Sequence, residues 1–288
     1  MKIIHLFQWK LTDIISYMPK IKEQGFDAIQ LSPMQGTKDN GDAWWLLYQP
    51  INLKIGNYQI GTKEELINVC KVAKEYSIKV IVDVVLRHCA GDEWEHLKPH
   101  KNVDPELLPY LAEPINCEDY NNRWQCTHRC TGMPMFDYEN KDFILKALSF
   151  LDELLDCGVW GFRLDQLKHY MLPNEGGTLI ETLSKYNIYG ECIYCEQQLL
   201  DEYSKYMSVL TEGRPSNLSR LVAKFESHDD YYEFHNTVGM TDYMRLTEWD
   251  ILVNECKYTS LYFARPYEKL WLSPEMKIIN DGGHICLK

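Results

Sequence analysis

The sequence has no apolar run that approaches the length of a membrane span, about 20 consecutive residues. Its amino-terminal stretch MKIIHLF is short and is followed by polar residues, unlike the apolar region of a secretion signal. Internal repeats and low-complexity tracts are also lacking. These absences argue against a membrane-spanning or exported chain and predict a globular, cytoplasmic protein.

Basic residues are fewer than acidic residues in this sequence. The 288 residues include 30 Lys and Arg against 42 Asp and Glu, which gives a formal net charge of -12. Such a chain repels phosphate backbones and anionic lipids, so neither nucleic acid nor a membrane surface is expected as a partner. Aromatic residues are plentiful, with 19 Tyr and eight Trp, and their faces suit flat ligands such as sugar rings.

The ten cysteines match no framework of disulfides or metal ligands. In a chain without a secretion signal, most are expected to be buried thiols. Cys192 and Cys195 form one short pair, and a second group comprises Cys117, Cys126, Cys130 and His128. Because these spacings fit no zinc module, no metal site is predicted from them.

Short apolar runs alternate regularly with amphipathic stretches along the chain. Helical patterns occupy 13–24 and 142–156, and a third helix opens at the capping box TKEE (62–65) and extends to about Tyr76. The apolar runs are typical of buried parallel strands. The eight predicted strands are 3–7, 28–31, 79–86, 159–164, 188–190, 207–210, 222–225 and 260–263.

Eight strands with helical stretches between most of them predict a (β/α)8 barrel of the TIM type. An open, doubly wound sheet is disfavoured because no Gly-rich phosphate loop is present. Only 211–220 connect the sixth and seventh strands, so one barrel helix is expected to be reduced. The polar, irregular segment 89–136 predicts a small inserted domain after strand three, with the barrel formed by 1–88 and 137–288.

Acidic and histidine side chains stand at the ends of four predicted strands, and in such barrels the active site lies at these ends. The two-residue period places Arg163 and Asp165 on the inner face, whereas Phe162 and Leu164 point toward the helices. A buried Arg and Asp are unfavourable unless they are paired or functional. The four segments are DVVLRH (83–88), GFRLDQLKH (161–169), YGE (189–191) and FESHD (225–229).

Three carboxylates are expected to converge there, from Asp165, Glu191 and Asp229. Such a set suits glycoside hydrolysis, in which one carboxylate is the nucleophile and another is the general acid. An arginine beside the nucleophile keeps it ionised by lowering its pKa. Burial and neighbouring carboxylates raise the pKa of the acid.

In this order, the four segments resemble the signature segments of the α-amylase family of retaining glycoside hydrolases. GFRLDQLKH is especially specific, and the resemblance covers nearly the whole chain. WLLYQP (45–50), KIGN (54–57) and LYFARP (261–266) are similar to a bacterial branch of the family that carries ESHD at strand seven. The resemblance implies hydrolysis of internal α-1,4-glucosidic bonds in starch, glycogen or maltooligosaccharides.

The resemblance also implies a role for each matching residue. Asp165 would attack the anomeric carbon, Glu191 would protonate the leaving oxygen and then activate water, and Asp229 would stabilise the distorted transition state. Arg163 would orient Asp165. The remaining sugar contacts would come from Tyr48, Gln49, His88, Lys168, His169 and His228.

Members of the family usually bind a structural calcium between barrel and insert. The Asn that precedes the strand-three His in the family is Arg87 here, and the Asp after the insert's Arg-Trp pair is Gln125. Calcium takes several oxygen ligands, and a guanidinium has no lone pair to offer it. No calcium and no other cofactor is therefore expected, and Arg87 is predicted to bridge insert and barrel.

The family's C-terminal β-sandwich is expected to be absent, and an oligomer would be compatible with the barrel surface left uncovered. The carboxylates do not separate hydrolysis from transfer to a sugar acceptor, because both reactions use the same covalent intermediate. A catalytically silent glucan-binding relative is a further alternative, although silent relatives usually lack a carboxylate and none is lacking here.

Overall fold

The computed structural model describes residues 1–23, 25–93, 96–192 and 195–211, and beyond them the strands 221–224, 258–264, 278–281 and 284–287. This described part is a mixed α/β structure built around a closed parallel sheet. The described strands are β1 (Lys2–Phe7), β2 (Ala28–Leu31), β3 (Gln35–Thr37), β4 (Pro50–Ile55), β5 (Lys79–Val84), β6 (Gly161–Leu164), β7 (Ile188–Glu191), β8 (Ser208–Thr211), β9 (Leu221–Lys224), β10 (Tyr258–Ala264), β11 (Ile278–Asp281) and β12 (His284–Leu287).

Eight of the described strands close into a barrel in the order β1, β2, β5, β6, β7, β8, β9, β10. Every pairing around the barrel is parallel. All eight strands therefore end at the same rim, where a barrel of this kind carries its active site. The predicted eight-stranded barrel is confirmed, with each strand within two residues of its expected bounds.

Two antiparallel pairs, β3 with β4 and β11 with β12, lie outside the barrel and were not predicted. Three of these four strands have only three or four residues, too few for a two-residue period to stand out. The predicted reduction of a barrel helix at 211–220 falls almost wholly outside the described residues.

The predicted helices are confirmed, and one begins at the expected capping box. The Thr62 hydroxyl accepts from the backbone N–H of Glu65, whose carboxylate accepts in return from the backbone N–H of Thr62. Among the described helices, none combines the length and apolar character that a membrane crossing requires. The α-helices are α1 (Leu11–Glu23), α2 (Lys63–Glu75), α3 (Arg123–His128), α4 (Lys141–Asp156), α5 (Leu179–Leu183) and α6 (Gln197–Tyr203).

The strand register builds two layers inside the barrel. Ile3, Ala28, Ile81 and Tyr189 form a small cluster separate from the main core. One period further along the same faces, in β1, β2, β5, β6 and β7, the buried side chains are polar. This second layer consists of His5, Gln30, Asp83, Arg163 and Glu191. Phe162 and Leu164 face the other way, into the main core, as predicted.

The segment between β5 and α4 is largely irregular, as the sequence predicts. It contains α3 and a 3₁₀ turn at Leu108–Tyr110, and isolated bridges join His88 to Met135 and Leu111 to Phe136. The bridge from His88 joins the segment to the barrel rim at the end of β5, and the bridge from Leu111 lies within the segment.

Six of the described cysteines are buried thiols, as expected for most of them, whereas one pair forms a disulfide that was not predicted. Cys192 and Cys195, just after β7, form a disulfide. A separation of three residues in a loop brings their Cα atoms to 5.9 Å, within the reach of a disulfide. Among the residues whose side chains the structure describes, the buried free thiols are Cys70, Cys89, Cys117, Cys126, Cys130 and Cys157.

Candidate active site

Arg163, at the end of β6, is only 1% exposed and joins three carboxylates. Its Nη1 donates to Asp83 Oδ2 at 3.0 Å and lies 3.7 Å from Asp165 Oδ1, while its Nη2 pairs with Glu191 Oε1. Burial alone would lower the pKa of Arg163, but these carboxylates, led by Asp83, raise it well above its ordinary value. The guanidinium is therefore a fixed positive charge between the acids of β5, β6 and β7.

Asp165 and Glu191 form a coupled pair of carboxyls beside Arg163, and each is 5% exposed. Burial and then the charge of Glu191 raise the pKa of Asp165 well above its ordinary value, although Arg163 opposes them. A hydrogen bond between the two side chains acts in the same direction. Two carboxyls in such contact retain one shared proton to higher pH than a lone carboxyl does.

The backbone after β6 brings these two acids together. Gln166, which follows Asp165, has left-handed backbone angles (φ 55°, ψ 41°) and directs its N–H toward Glu191 Oε2 at 3.5 Å. On the facing strand, a Cβ at Gly190 would collide with Leu167, so only glycine permits this close approach. Non-glycine residues in this conformation occur often at functional sites, and no feature of the sequence marks Gln166 for it.

Asp83 anchors the second layer of the barrel. Its carboxylate accepts from Tyr48 Oη at 2.7 Å and from Gln30 Nε2 at 2.6 Å, in addition to Arg163. Burial raises the pKa of Asp83 to about 6, against the opposing effect of Arg163, so the group is ionised at neutral pH. Burial and the charge of Asp83 also raise the pKa of Tyr48 well above its usual value. Tyr48 is thus a neutral hydrogen-bond donor, fixed at its hydroxyl.

A chain of polar groups that was not predicted from the sequence lies beside these acids. Tyr189 donates from its hydroxyl to Gln30 Oε1, and Gln30 Nε2 lies 3.2 Å from His5 Nε2. A polar residue in the otherwise apolar runs IIHLF and AIQL was the available signal. Because parallel pairing sets His5 opposite Gln30, the two side chains fall in the same layer.

His88 and Gln49 are buried next to Tyr48. His88 Nε2 lies 2.8 Å from the Tyr48 carbonyl oxygen and so acts as the donor. Burial lowers the pKa of His88 to about 4, which makes the imidazole neutral at neutral pH. Within the described part of the chain, His88 Nδ1 and Gln49 Oε1 are buried and have no hydrogen-bond partner.

Lys168 and His169, predicted together as sugar contacts, face different surroundings. Lys168 lines an open cavity of about 410 Å³, whose wall also includes Tyr120 and Glu175. His169 is 5% exposed, and its Nδ1 lies 3.0 Å from the carbonyl oxygen of Cys126. Burial, and then the charge of Arg87, lower the pKa of His169 well below its ordinary value, so it is neutral.

Eight of the ten residues predicted for the site lie at or follow strand ends at one rim of the barrel, but the side chains of two of them, Lys168 and His169, lie away from the carboxylate cluster. The remaining two predicted residues, Asp229 and His228, lie outside the described residues. The fold and the site define a (β/α)8 barrel protein whose strand ends carry a buried Arg163–Asp165–Glu191 cluster.

Residues 10–258 match the family model described as "Alpha amylase, catalytic domain". The chain belongs to the α-amylase family, as its signature segments predict. A curated α-amylase of Clostridium acetobutylicum is 29% identical, over 97% of this chain and 43% of its own length. An α-amylase of Butyrivibrio fibrisolvens is 26% identical, over 92% of this chain and 34% of its own length. The chain therefore spans less than half the length of these relatives.

A solved structure supports the same fold. The α-amylase I of Eisenia fetida superposes with a TM-score of 0.69 at 20% identity, over 98% of this chain and 71% of that one. At such identity the likeness concerns the fold alone.

Proposed function

We propose that this protein is a retaining glycoside hydrolase that cleaves internal α-1,4-glucosidic bonds of starch, glycogen or maltooligosaccharides. The observation that carries the proposal is the Asp165–Glu191 pair, hydrogen-bonded side chain to side chain and joined by Arg163. Retaining enzymes hold their two carboxyls closer together than inverting enzymes, which need room for a water between them. Family membership supports the same substrate class.

In the first half of the proposed reaction, Asp165 attacks the anomeric carbon and Glu191 protonates the departing glycosidic oxygen. A covalent glycosyl–enzyme ester forms, and the leaving sugar departs with the proton of Glu191. In the second half, Glu191 removes a proton from water, which attacks the anomeric carbon and releases Asp165. Two displacements at one carbon return the α configuration.

Arg163 supports both halves of the reaction. Its positive charge favours the ionised form of Asp165, which attack requires, while its contact with Glu191 fixes the position of the acid. When Asp165 loses its charge to the ester, the negative neighbour of Glu191 is gone, and the ionised form of Glu191 is favoured after it has given up its proton. Glu191 can then accept the proton from water.

The other predicted contacts are proposed to hold the sugar at the bond to be cleaved. Tyr48 offers a ring fixed by its hydroxyl to Asp83, and stacking on a sugar suits such a rigid aromatic face. His88 Nδ1 and Gln49 Oε1 are buried acceptors that sugar hydroxyls would satisfy. Asp229 and His228 remain predictions for the same sugar, and Lys168 for the next one along the chain.

His169 is proposed to serve the next sugar indirectly, because its ring is directed at the Cys126 carbonyl. We further propose that 89–136 is a small domain inserted into the barrel of 1–88 and 137–288. The cytoplasmic location and the formation of an oligomer stay predictions from the sequence.

The proposal is tested by following the products from maltooligosaccharides and soluble starch by size and by anomeric configuration. Short products that are initially α-anomeric, resolved by proton NMR before mutarotation, are the expected result. Initial β-anomers would refute retention, and products longer than the substrate would identify a transglycosylase. Glucan binding without any product would identify a silent relative.

Activity is expected to follow a bell-shaped pH profile set by the shared proton of Asp165 and Glu191. As the pH falls, both carboxyls become protonated and the nucleophile is lost; as it rises, both ionise and the acid is lost. Because burial and Glu191 raise the pKa of Asp165, Glu191→Gln is expected to move the acidic limb of kcat/KM to lower pH and to abolish the alkaline limb. An unchanged alkaline limb in this variant would contradict the assignment.

A further inference from the structure

Arg87, just after β5, is a second buried arginine, 1% exposed, and it lies apart from the carboxylate cluster. Its Nε donates to the His169 carbonyl at 3.0 Å. Its Nη2 donates to the carbonyls of Cys126 at 3.0 Å and Arg129 at 2.6 Å, and its Nη1 lies 3.4 Å from Thr131 Oγ1. One guanidinium therefore gathers oxygens from the segment 126–131 and from the turn that follows β6.

No carboxylate is among the hydrogen-bond partners of Arg87 in the described part of the chain. Burial lowers the pKa of Arg87, but an arginine stays charged in a protein. The positive charge of Arg87 is therefore offset mainly by the dipoles of three carbonyl groups. Backbone carbonyls often surround bound metal cations in proteins in the same way.

The family's calcium would be expected in this region, but the residues present do not fit it. Three carbonyl oxygens that could act as ligands already accept from Arg87, and a guanidinium among them repels a cation. The Gln125 side-chain oxygen accepts from the backbone N–H groups of Glu118 and Asp119, at 3.0 and 3.3 Å. Within the described residues, no three His, Cys, Asp or Glu side chains are grouped so that they could hold a metal.

We propose that Arg87 is a built-in cation that fastens the segment 126–131 to the barrel, in place of a metal ion that can dissociate. Three of the four hydrogen bonds of Arg87 are donated to backbone carbonyls. The attachment of the segment therefore depends on the several N–H donors of the planar guanidinium and not on a side-chain carboxylate. Through the His169 carbonyl it also fixes the turn that begins at Asp165 and carries Lys168.

The first test uses the unaltered protein and measures its melting temperature. With EDTA, with calcium chloride and with neither, Tm is expected to agree within about 1 °C, because a ligand that does not bind the native state cannot stabilise it. A Tm that rises with calcium or falls with EDTA overturns the proposal. These readings need no substrate, so they stand or fall independently of the proposed hydrolysis.

The second test replaces the cation. Arg87→Met removes the guanidinium from three carbonyls, of which that of Cys126 keeps His169 Nδ1 as a partner, and is expected to lower Tm by roughly 5–15 °C. Arg87→Lys keeps the positive charge but loses the planar guanidinium with its several N–H donors, and it is expected to lower Tm by less than Arg87→Met does. The matched control is Arg129→Met in the same segment, where the side chain is partly exposed and lies 3.8 Å from Glu118, so Tm should change by less than about 3 °C.

Hydrogen exchange locates the effect and covers the case in which Arg87→Met does not fold. In Arg87→Lys, amides of 126–131 and 167–170 are expected to exchange at least about tenfold faster, while those of α1 keep their rates. Unchanged rates at 126–131 and 167–170 would overturn the proposal. A Tm of the Arg87 variants no lower than that of Arg129→Met would also overturn the proposal.

Discussion

Asp165→Asn is expected to lower kcat on α-glucans by about 10⁴- to 10⁶-fold, with little change in the stability of the fold. An amide cannot form the covalent ester, so the double-displacement route is lost. Steady-state rates on a maltooligosaccharide, with thermal melting of each variant, measure the effect. A loss of less than about tenfold would show that Asp165 is not the nucleophile.

Glu191→Gln provides the matched contrast. On natural glucans the kcat of Glu191→Gln is expected to fall by a similarly large factor, because the leaving oxygen then departs without a proton. The leaving group of α-maltosyl fluoride needs little protonation. With this substrate, the rate of the first displacement in Glu191→Gln should therefore be close to that of the unaltered protein. Asp165→Asn should be equally inactive on both substrates. Identical behaviour of the two variants would contradict the separate roles.

A neutral control separates these effects from the simple loss of a negative charge. Glu181→Gln, at an exposed position in α5, removes a carboxylate that is not part of the cluster. Its kcat is expected to stay within about twofold of the unaltered protein, since surface substitutions away from such features change little. If Glu181→Gln were as damaging as Asp165→Asn, the assignment of the site would fail.

Arg163→Met is expected to lower the free energy of unfolding by about 3–5 kcal/mol, the typical loss when one partner of a buried ion pair is removed. Asp83, Asp165 and Glu191 would all lose the positive charge beside them. Urea unfolding measures the loss. The deficit should be small below about pH 6, the pKa of Asp83, and grow as the pH rises above it, because a protonated carboxyl does not need the guanidinium.

Lys146→Met is the matched control for that measurement. Lys146 Nζ lies 3.2 Å from Glu106 Oε2, but this pair is largely exposed, and exposed pairs contribute at most about 1 kcal/mol. An Arg163→Met variant no less stable than Lys146→Met, or a deficit independent of pH, would show that Arg163 does not hold the three acids together.

The sequence predicted the barrel because each of its strands is a short, buried apolar run that stands out locally. The two-residue period also placed Arg163 inside and Phe162 outside, and both positions are confirmed. The disulfide of Cys192 and Cys195 was missed, since a spacing of three residues does not tell a bonded pair from two thiols.

What the sequence determined by itself is which residues stand at the strand ends, because that follows from local periodicity and from specific segments such as GFRLDQLKH. The contacts among them were decided only by the tertiary structure. The closeness of Asp165 and Glu191 depends on the left-handed Gln166 and on Gly190, and the joining of Gln30 to Asp83 depends on the register of the barrel. Likewise, the sequence predicted that Arg87 bridges insert and barrel, but the three carbonyls that it contacts are distant in the chain, and only the tertiary structure decided which they are.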